Sequence, residues 1–300
     1  MIWSSYVKSF KLYLNVEKGL SAHSIDAYAR DVEKLARFIE SEYGDLALKE
    51  LGTEHIRSFL RELHHCDIDP RSQARILSGL RAFSNYLILE GITQKDWLEN
   101  IDSPRIGSRI PDVLTVEEVK NLLESLDISQ PHAPRNRAML EIMYACGLRV
   151  SELIQLRLDH IYKDLEIIKV TGKNNKERLI PISARALKFM NIYLQERALQ
   201  KISPDAAHLV FINRRGNSIG RHMVYRIIKA AAEEAGLKKS VSPHTLRHCF
   251  ATHLVEGGAD LRAVQELLGH ASILTTEIYT HINNEYLRRT IHTFHPLNRS

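Results

Sequence analysis

The stretch HTLRHCFATHL, residues 244–254, carries three histidines and one arginine within eleven positions, among apolar residues at helical spacing. Ser242 is a favoured N-cap residue and Pro243 suits the first helical position, so His244 falls in the first turn. Free backbone N–H groups and the helix dipole favour an anion there. Arg247 follows three positions later on the same face, so both side chains can address one phosphate. The alternative is an ordinary solvated face over an apolar core.

Four more residues at predicted turns or helix ends could serve the same chemistry: Arg149, Lys173, His270 and Tyr279. Together with His244 and Arg247, they supply the groups that phosphodiester cleavage requires. These are donors for the nonbridging oxygens, an acid for the leaving oxygen and a nucleophile. Taken alone, each has an ordinary interpretation, such as a surface ion pair with Glu152 for the arginine. Spacing by itself does not show that the six residues meet.

Composition excludes several classes of protein. No acidic triad with the spacing of a two-metal site is present, so we expect neither a metal ion nor another cofactor. Cys66, Cys146 and Cys249 are far apart and odd in number, which favours reduced thiols. No apolar run resembles a signal peptide or approaches the roughly 18 residues of a membrane span. The expected location is the cytoplasm, with no membrane partner.

The formal charge of +5 is distributed unevenly along the chain. Residues 1–110 hold 15 basic and 16 acidic residues, whereas residues 111–300 hold 26 and 20. The second part is therefore +6 and the first −1. A basic excess of this kind is compatible with a polyanionic partner such as nucleic acid, although many proteins without one look the same.

The first hundred residues have the apolar period of helices joined by short turns. One predicted helix, in LSAHSIDAYARDVEKLARFIESEYG, has Ser21 or Ser24 as its cap and Gly44 at its end. A second, in RSQARILSGLRAFSNYLILEG, has an apolar face of Ile76, Leu80, Phe83 and Leu87. Its arginines can form a solvated face or bind DNA phosphates: Arg71, Arg75 and Arg81.

The segment NIDSPRIGSRIPDVLT has no helical period and predicts a linker at residues 105–114, between domains at 1–104 and 115–300. Thr115 followed by Glu118 has the form of a capping box at the start of the second domain. Within that domain LEIIKVTGKNNKERLIPIS predicts a β-hairpin with Lys173 at its tip. The run HLVFINRRG, residues 208–216, could add a third strand.

These motifs resemble the tyrosine recombinases over almost the whole chain. The family pattern is Arg, Lys, His-x-x-Arg, His or Trp, and Tyr, and six residues match it in order: Arg149 in GLRVSEL, Lys173 in TGKNNKERLIPI, His244 and Arg247 in HTLRH, His270 in LLGHAS, and Tyr279 in EIYTHI. The N-terminal LSAHSIDAYARDVEKLARFI resembles the core-binding domain of the family. Within the family the chain is most similar to the Xer group, and the ending THINNEYLRRTIHTFHP resembles its XerD branch.

The resemblance implies a mainly α fold: an N-terminal helical, SAM-like DNA-binding domain and a mostly helical catalytic domain with a small antiparallel sheet. It also implies that Tyr279 attacks the scissile phosphate of a double-stranded recombination site, without metal or ATP. Four protomers assemble on two DNA sites in such enzymes, here with a paralogous Xer recombinase or with identical copies. Resolution of chromosome dimers at cell division, with a septal DNA translocase as a further partner, is the expected role.

Three alternatives remain open from the sequence: an integrase of a mobile element, a type IB topoisomerase and an inactive DNA-binding relative. A further expectation concerns the C-terminal tail, where Leu287, Ile291 and Phe294 form a short apolar stripe. A lone terminal helix cannot keep such a stripe from water. It can dock onto its own domain, but the family resemblance favours docking into a neighbouring protomer.

Overall fold

A computed structural model of the chain describes residues 2–104, 113–127, 131–172, 175–269 and 281–298, without the side chains of residues 2 and 281–285. The chain divides into two compact units, Met1–Arg109 and Ile110–Ser300, and each has an apolar core of its own. The fold class is mainly α, with one small antiparallel sheet in the second unit. In the described ranges no helix is long and apolar enough to cross a membrane.

The described part of the N-terminal unit is built from four α-helices: α1 Ile2–Val16, α2 Ala22–Tyr43, α3 Thr53–His65 and α4 Pro70–Leu89. Ser21 is the N-cap of α2, because its side chain accepts a hydrogen bond from the Ser24 N–H at 3.3 Å. Asp69 caps α4 in the same way. The predicted apolar face of α4 is confirmed, since all four of its residues are buried in the core of the unit.

The C-terminal unit contains a larger set of helices and three strands: α5 Val116–Glu124, α6 Ala133–Cys146, α7 Val150–Ile154, β1 Ile161–Tyr162, β2 Ile167–Thr171, β3 Glu177–Pro181, α8 Ala184–Ala198, α9 Arg221–Glu234, α10 Pro243–Glu256, α11 Leu261–Leu268 and α12 His281–Phe294. The predicted capping box begins α5, with hydrogen bonds in both directions between Thr115 and Glu118. The centre of the unit is α6, which is buried almost all round between α8 and α10.

The turn between α6 and α7 sets the start of the short helix that follows Arg149. Gly147 adopts a φ of 59°, in the left-handed region that glycine tolerates best. A Cβ at this position would also overlap the ring of Phe250 on α10. Glycine therefore lets α6 end against α10 and places Arg149 beside that helix.

The predicted hairpin is confirmed, and the predicted third strand is wrong. Strands β2 and β3 pair antiparallel, with Ile168 opposite Ile180 and Val170 opposite Arg178. The third strand is β1, which precedes the hairpin and pairs with β2. Residues 208–216 make only isolated bridges, because the chain there pairs briefly with residues 156–158 and then folds back on itself.

The tail helix α12 packs on its own unit, contrary to the docking into a neighbour that the family resemblance favours. Leu287 and Ile291 are buried in the core of the C-terminal unit, and α12 contacts β3, α10 and α11. Beyond the helix, the buried ring of His295 lies 4.8 Å from the ring of Tyr144, centroid to centroid. The core of its own unit therefore covers the apolar stripe, and the contact between His295 and Tyr144 holds the tail beyond the helix against the same unit.

Candidate active site

A single buried carboxylate organises the site. Glu152 lies on α7 and is only 2% exposed. One of its oxygens accepts from the backbone N–H of Arg149 at 2.8 Å, the return hydrogen bond of a capping box, and the other accepts from Arg149 Nη1 at 2.9 Å. The start of α7 and the direction of the Arg149 side chain are therefore set by the same residue.

A second guanidinium holds the same carboxylate from the sheet. Arg178 on β3 donates from Nη1 and Nη2 to the two oxygens of Glu152, at 2.7 and 2.9 Å. This is the two-point geometry in which arginine binds a carboxylate most strongly. Burial of the Glu152 carboxyl opposes its ionisation, but the hydrogen bonds and charge of Arg178, with the hydrogen bonds from Arg149, outweigh burial and lower the pKa of Glu152.

Arg247 on α10 completes the arrangement. It donates to the carbonyl of Gly147 at 2.7 Å and to the carbonyl of Leu268, the last residue of α11, at 2.6 Å. Its Nη1 lies 3.9 Å from Glu152. Burial, together with the charge of Arg149, lowers the pKa of Arg247 to about 10, so the side chain is still charged at neutral pH.

The arginine cluster, defined here as Arg149, Arg178 and Arg247 around Glu152, carries more positive than negative charge. Among the described residues, these three guanidinium groups share one carboxylate, and the cluster is mostly buried. A buried excess of cationic charge is costly unless an anion compensates it. Arg149 is the most exposed of the three, with a side chain 34% accessible, so an anion can reach the cluster from its side. A phosphate diester fits this charge and geometry.

His244 lies where the sequence predicts, in the first turn of α10. Ser242 caps that helix by accepting from the Thr245 N–H at 3.2 Å, and Pro243 occupies the first helical position. The His244 side chain is exposed, whereas Arg247, three residues on, is buried. The two side chains share a helix face at different depths, one in the cluster and one at the surface.

Three of the predicted catalytic residues, Lys173, His270 and Tyr279, lie outside the described residues. Their roles therefore stay predictions. The chain next to two of them is described: Gly172 donates to the Lys176 carbonyl at 2.7 Å, and Gly269 ends α11 with a φ of 65°.

The predicted DNA-contacting arginines of α4 have different surroundings. Arg75 forms a two-point ion pair with the buried carboxylate of Asp31. Arg81 donates to the Ile101 carbonyl at 2.6 Å and to Ser103. Arg71 is exposed, and its guanidinium makes no ion pair with the described residues. Of the three arginines, Arg71 has the side chain most available to contact a phosphate.

Arg178 is absent from the motif-based prediction, although a signal for it exists in the sequence. Side chains at alternate positions of a strand share a face, so Arg178 falls on the same side as the apolar Ile180. A charge on the buried face of a strand requires a partner. The partner, Glu152, lies 26 positions earlier, a distance at which the sequence offers no pairing rule.

Comparisons with known proteins find family matches for both units of the chain. Residues 112–286 match the phage integrase family, and residues 7–91 match the phage integrase N-terminal SAM-like domain. The chain is 37% identical over 290 residues to the tyrosine recombinase XerD of Staphylococcus saprophyticus, covering 97% of this chain and 98% of the relative. XerD of Staphylococcus aureus matches with the same identity and coverage.

Solved structures show the same fold. A XerH site-specific recombinase bound to a palindromic difH substrate, in a post-cleavage complex, superposes with a TM-score of 0.71 at 26% identity. That match covers 96% of this chain and 84% of XerH. A lambda integrase dimer on a COC′ core site has a TM-score of 0.70 at 19% identity, covering 93% and 98% of the two chains, which shows likeness of fold alone. The chain belongs to the phage integrase family and is a XerD-like tyrosine recombinase, an enzyme of site-specific recombination.

Proposed function

We propose that this enzyme cuts and rejoins strands of a double-stranded DNA site, with Tyr279 as its nucleophile. The observation that carries the proposal is the arginine cluster, which holds a buried excess of positive charge open to an anion on the Arg149 side. Arg149 and Arg247 supply paired N–H donors to the nonbridging oxygens of the scissile phosphate. In this proposal His244, exposed in the first turn of α10, donates to the same phosphate.

The chemistry balances without an external energy source. The Tyr279 hydroxyl attacks the phosphorus, the bond to the 5′-oxygen breaks, and a 3′-phosphotyrosyl link forms. Lys173 protonates the departing 5′-oxygen, while His244 or His270 accepts the tyrosyl proton. The free 5′-hydroxyl then attacks the equivalent link on another strand and releases the tyrosine. Because the ester retains the bond energy, the reaction consumes no ATP.

The biological role we propose is resolution of chromosome dimers in the cytoplasm at cell division. XerD relatives match nearly the whole chain, and the XerH structure contains a DNA substrate. The partners proposed are a paralogous Xer recombinase, or further copies of this chain, in a tetramer on two sites, and a septal DNA translocase. The N-terminal unit, through exposed residues such as Arg71, binds the arm of the site.

The test uses nicked suicide substrates carrying the site, identified by selecting genomic fragments that the protein binds. Denaturing electrophoresis should show a covalent protein–DNA band with the wild type and none with Tyr279→Phe at equal DNA occupancy. Failure of the wild type to form the adduct would leave only a DNA-binding protein.

The products separate the remaining alternatives. Joined recombinant strands identify a recombinase, whereas relaxed DNA without strand exchange identifies a topoisomerase. A bound site at the end of a mobile element, instead of one in the chromosome terminus region, would identify an integrase. The same variant set therefore tests both the chemistry and the role.

A further inference from the structure

All three guanidinium nitrogens of Arg178 donate to groups of the protein, and burial keeps its two remaining N–H groups from DNA. Its side chain is 7% exposed, and both Nη atoms are used by Glu152. The remaining nitrogen, Nε, donates to the carbonyl of Leu267 at 3.1 Å. Arg178 can therefore affect a bound phosphate only through the groups that it holds.

The contacts of Arg178 join three segments that carry predicted catalytic residues. Glu152 connects it to α7 and Arg149. The carbonyl of Leu267 connects it to the end of α11, two positions before Gly269, and a Cβ on Gly269 would lie only 3.1 Å from the Arg178 side chain. A Cβ on Gly172, in the hairpin, would lie 3.5 Å from Arg178 Nη1, so the hairpin backbone also passes close to this guanidinium. In sequence, the hairpin and the α11 end lead directly into two of the predicted catalytic residues.

The formal charge of the cluster explains why Glu152 is paired with Arg178 as well as with Arg149. Glu152 also accepts from Arg149, and Arg247 lies 3.9 Å away. Without Arg178, Arg149 and Arg247 are the cations that remain near the carboxylate in the described part of the chain, and the formal charge of the cluster would fall from +2 to +1. Arg149 would then offer its second Nη to Glu152 in the two-point geometry, and would lose donors for a phosphate.

We propose that Arg178 is a positioning residue: it neutralises Glu152 and so leaves the charge and free donors of Arg149 and Arg247 for the scissile phosphate. The inference rests on the proposed function, because it assumes that these two arginines contact that phosphate. It predicts that the contribution of Arg178 to cleavage depends on the negative charge of the DNA.

The experiment measures single-turnover formation of the covalent adduct, at saturating DNA, on two suicide substrates. One has the ordinary scissile phosphate, and the other has a methylphosphonate there, in which a methyl group replaces a charged oxygen. Arg178→Met should slow cleavage of the phosphate by about 10²-fold, the scale of a lost oxyanion donor. On the methylphosphonate the loss should be less than about tenfold, because no charge remains to be stabilised.

Three further variants make the result decisive. Arg178→Lys keeps the charge but lacks the two-point fork, so its loss on the phosphate should be intermediate, about tenfold; it carries the test if the methionine variant does not fold. Adding Glu152→Gln to Arg178→Met should restore cleavage of the phosphate by about tenfold, because the carboxylate no longer competes for Arg149. Arg137→Met is the matched control, since Arg137 is an equally buried arginine paired with Glu141 in the same unit.

The outcomes separate this inference from the proposed function. No wild-type adduct on the phosphate substrate refutes the proposed function and this inference with it. A wild-type adduct combined with equal losses on both substrates, as expected for Arg137→Met, makes Arg178 a purely structural residue. If the wild type does not cleave the methylphosphonate, the double variant decides: no recovery over Arg178→Met at equal folded fraction overturns the inference.

Discussion

Two regions of this protein use arginine for different purposes. On α4 of the N-terminal unit, Arg75 is matched by one carboxylate, Asp31, and Arg81 donates to the Ile101 carbonyl. In the described part of the C-terminal unit, three arginines share one carboxylate, that of Glu152. An arginine-rich helix face is therefore a weak indicator of an anion site. The stronger indicator is an excess of cations over the partners that the protein itself provides.

The largest effect is expected from a truncation that disrupts the core of the C-terminal unit, which holds the arginine cluster. Ending the chain at Asn284 deletes Leu287 and Ile291, whose burial is worth about 2–5 kcal/mol each, from a domain stability of about 5–15 kcal/mol. We expect hydrogen-exchange protection in α6 and α10 to collapse. The chain ending at Asn298 is the control.

The N-terminal unit should keep its own unfolding transition in the truncated chain. Both tryptophans of the chain, Trp3 and Trp97, contact its core, so their fluorescence reports on this unit alone. Unchanged protection of α6 in the chain ending at Asn284 would show that the tail is not a necessary part of the C-terminal core.

The next effect in size concerns the two sets of arginines. Arg149→Ala and Arg247→Ala should each slow single-turnover cleavage by about 10²-fold or more, because each removes a preorganised donor to the phosphate. Arg75→Ala should leave the rate of the chemical step on bound DNA within about threefold, since its guanidinium is committed to Asp31. Comparable slowing by all three variants would remove the distinction between the two regions.

Acid should lower the stability of the C-terminal unit through protonation of His295 in the tail. Burial lowers the pKa of His295 to about 4 from its usual value near 6.5. The unfolded state therefore binds the proton first, and stability that is complete above about pH 6.5 falls by about 1.4 kcal/mol per pH unit down to about pH 4. Urea unfolding followed by exchange in α10 measures this slope. His295→Gln should flatten it, and an unchanged slope in that variant would assign it to other groups.

A smaller effect is expected for the ion pair of the N-terminal unit. Asp31→Asn weakens the pair with Arg75 at a buried position and should cost the unit about 1–3 kcal/mol. Tryptophan fluorescence in urea measures the loss. Cleavage of bound DNA should not change, and a slowed chemical step would place Asp31 in the reaction.

The smallest effect sharpens the comparison at the DNA surface. Arg71→Ala should weaken binding of a single site modestly and reduce the salt dependence of log K by about one unit of slope, as for one lost phosphate contact. Arg81→Ala is the comparison variant, since the Arg81 side chain donates to the Ile101 carbonyl. An unchanged slope for Arg71→Ala would exclude it from the interface.

The amino-acid sequence by itself determined the features that depend on near neighbours. The sequence predicts the helix starts at Ser21, Thr115 and Ser242, the helix end at Gly44, and the hairpin. Caps and turns use hydrogen bonds and backbone angles within a few residues, so local sequence encodes them. The ordered catalytic motif likewise predicted the family, because it is a pattern of residue types along the chain.

Only the tertiary structure decided which side chains converge. Glu152 and Arg178 are 26 positions apart, and Arg247 reaches the Gly147 carbonyl across 100 positions. Such contacts depend on how α6, α10 and the sheet pack, and no local rule specifies them. The same holds for α12, whose apolar stripe predicts that something must cover it. The core of its own unit covers that stripe, because the tail places Leu287, Ile291 and His295 against α10, β3 and Tyr144.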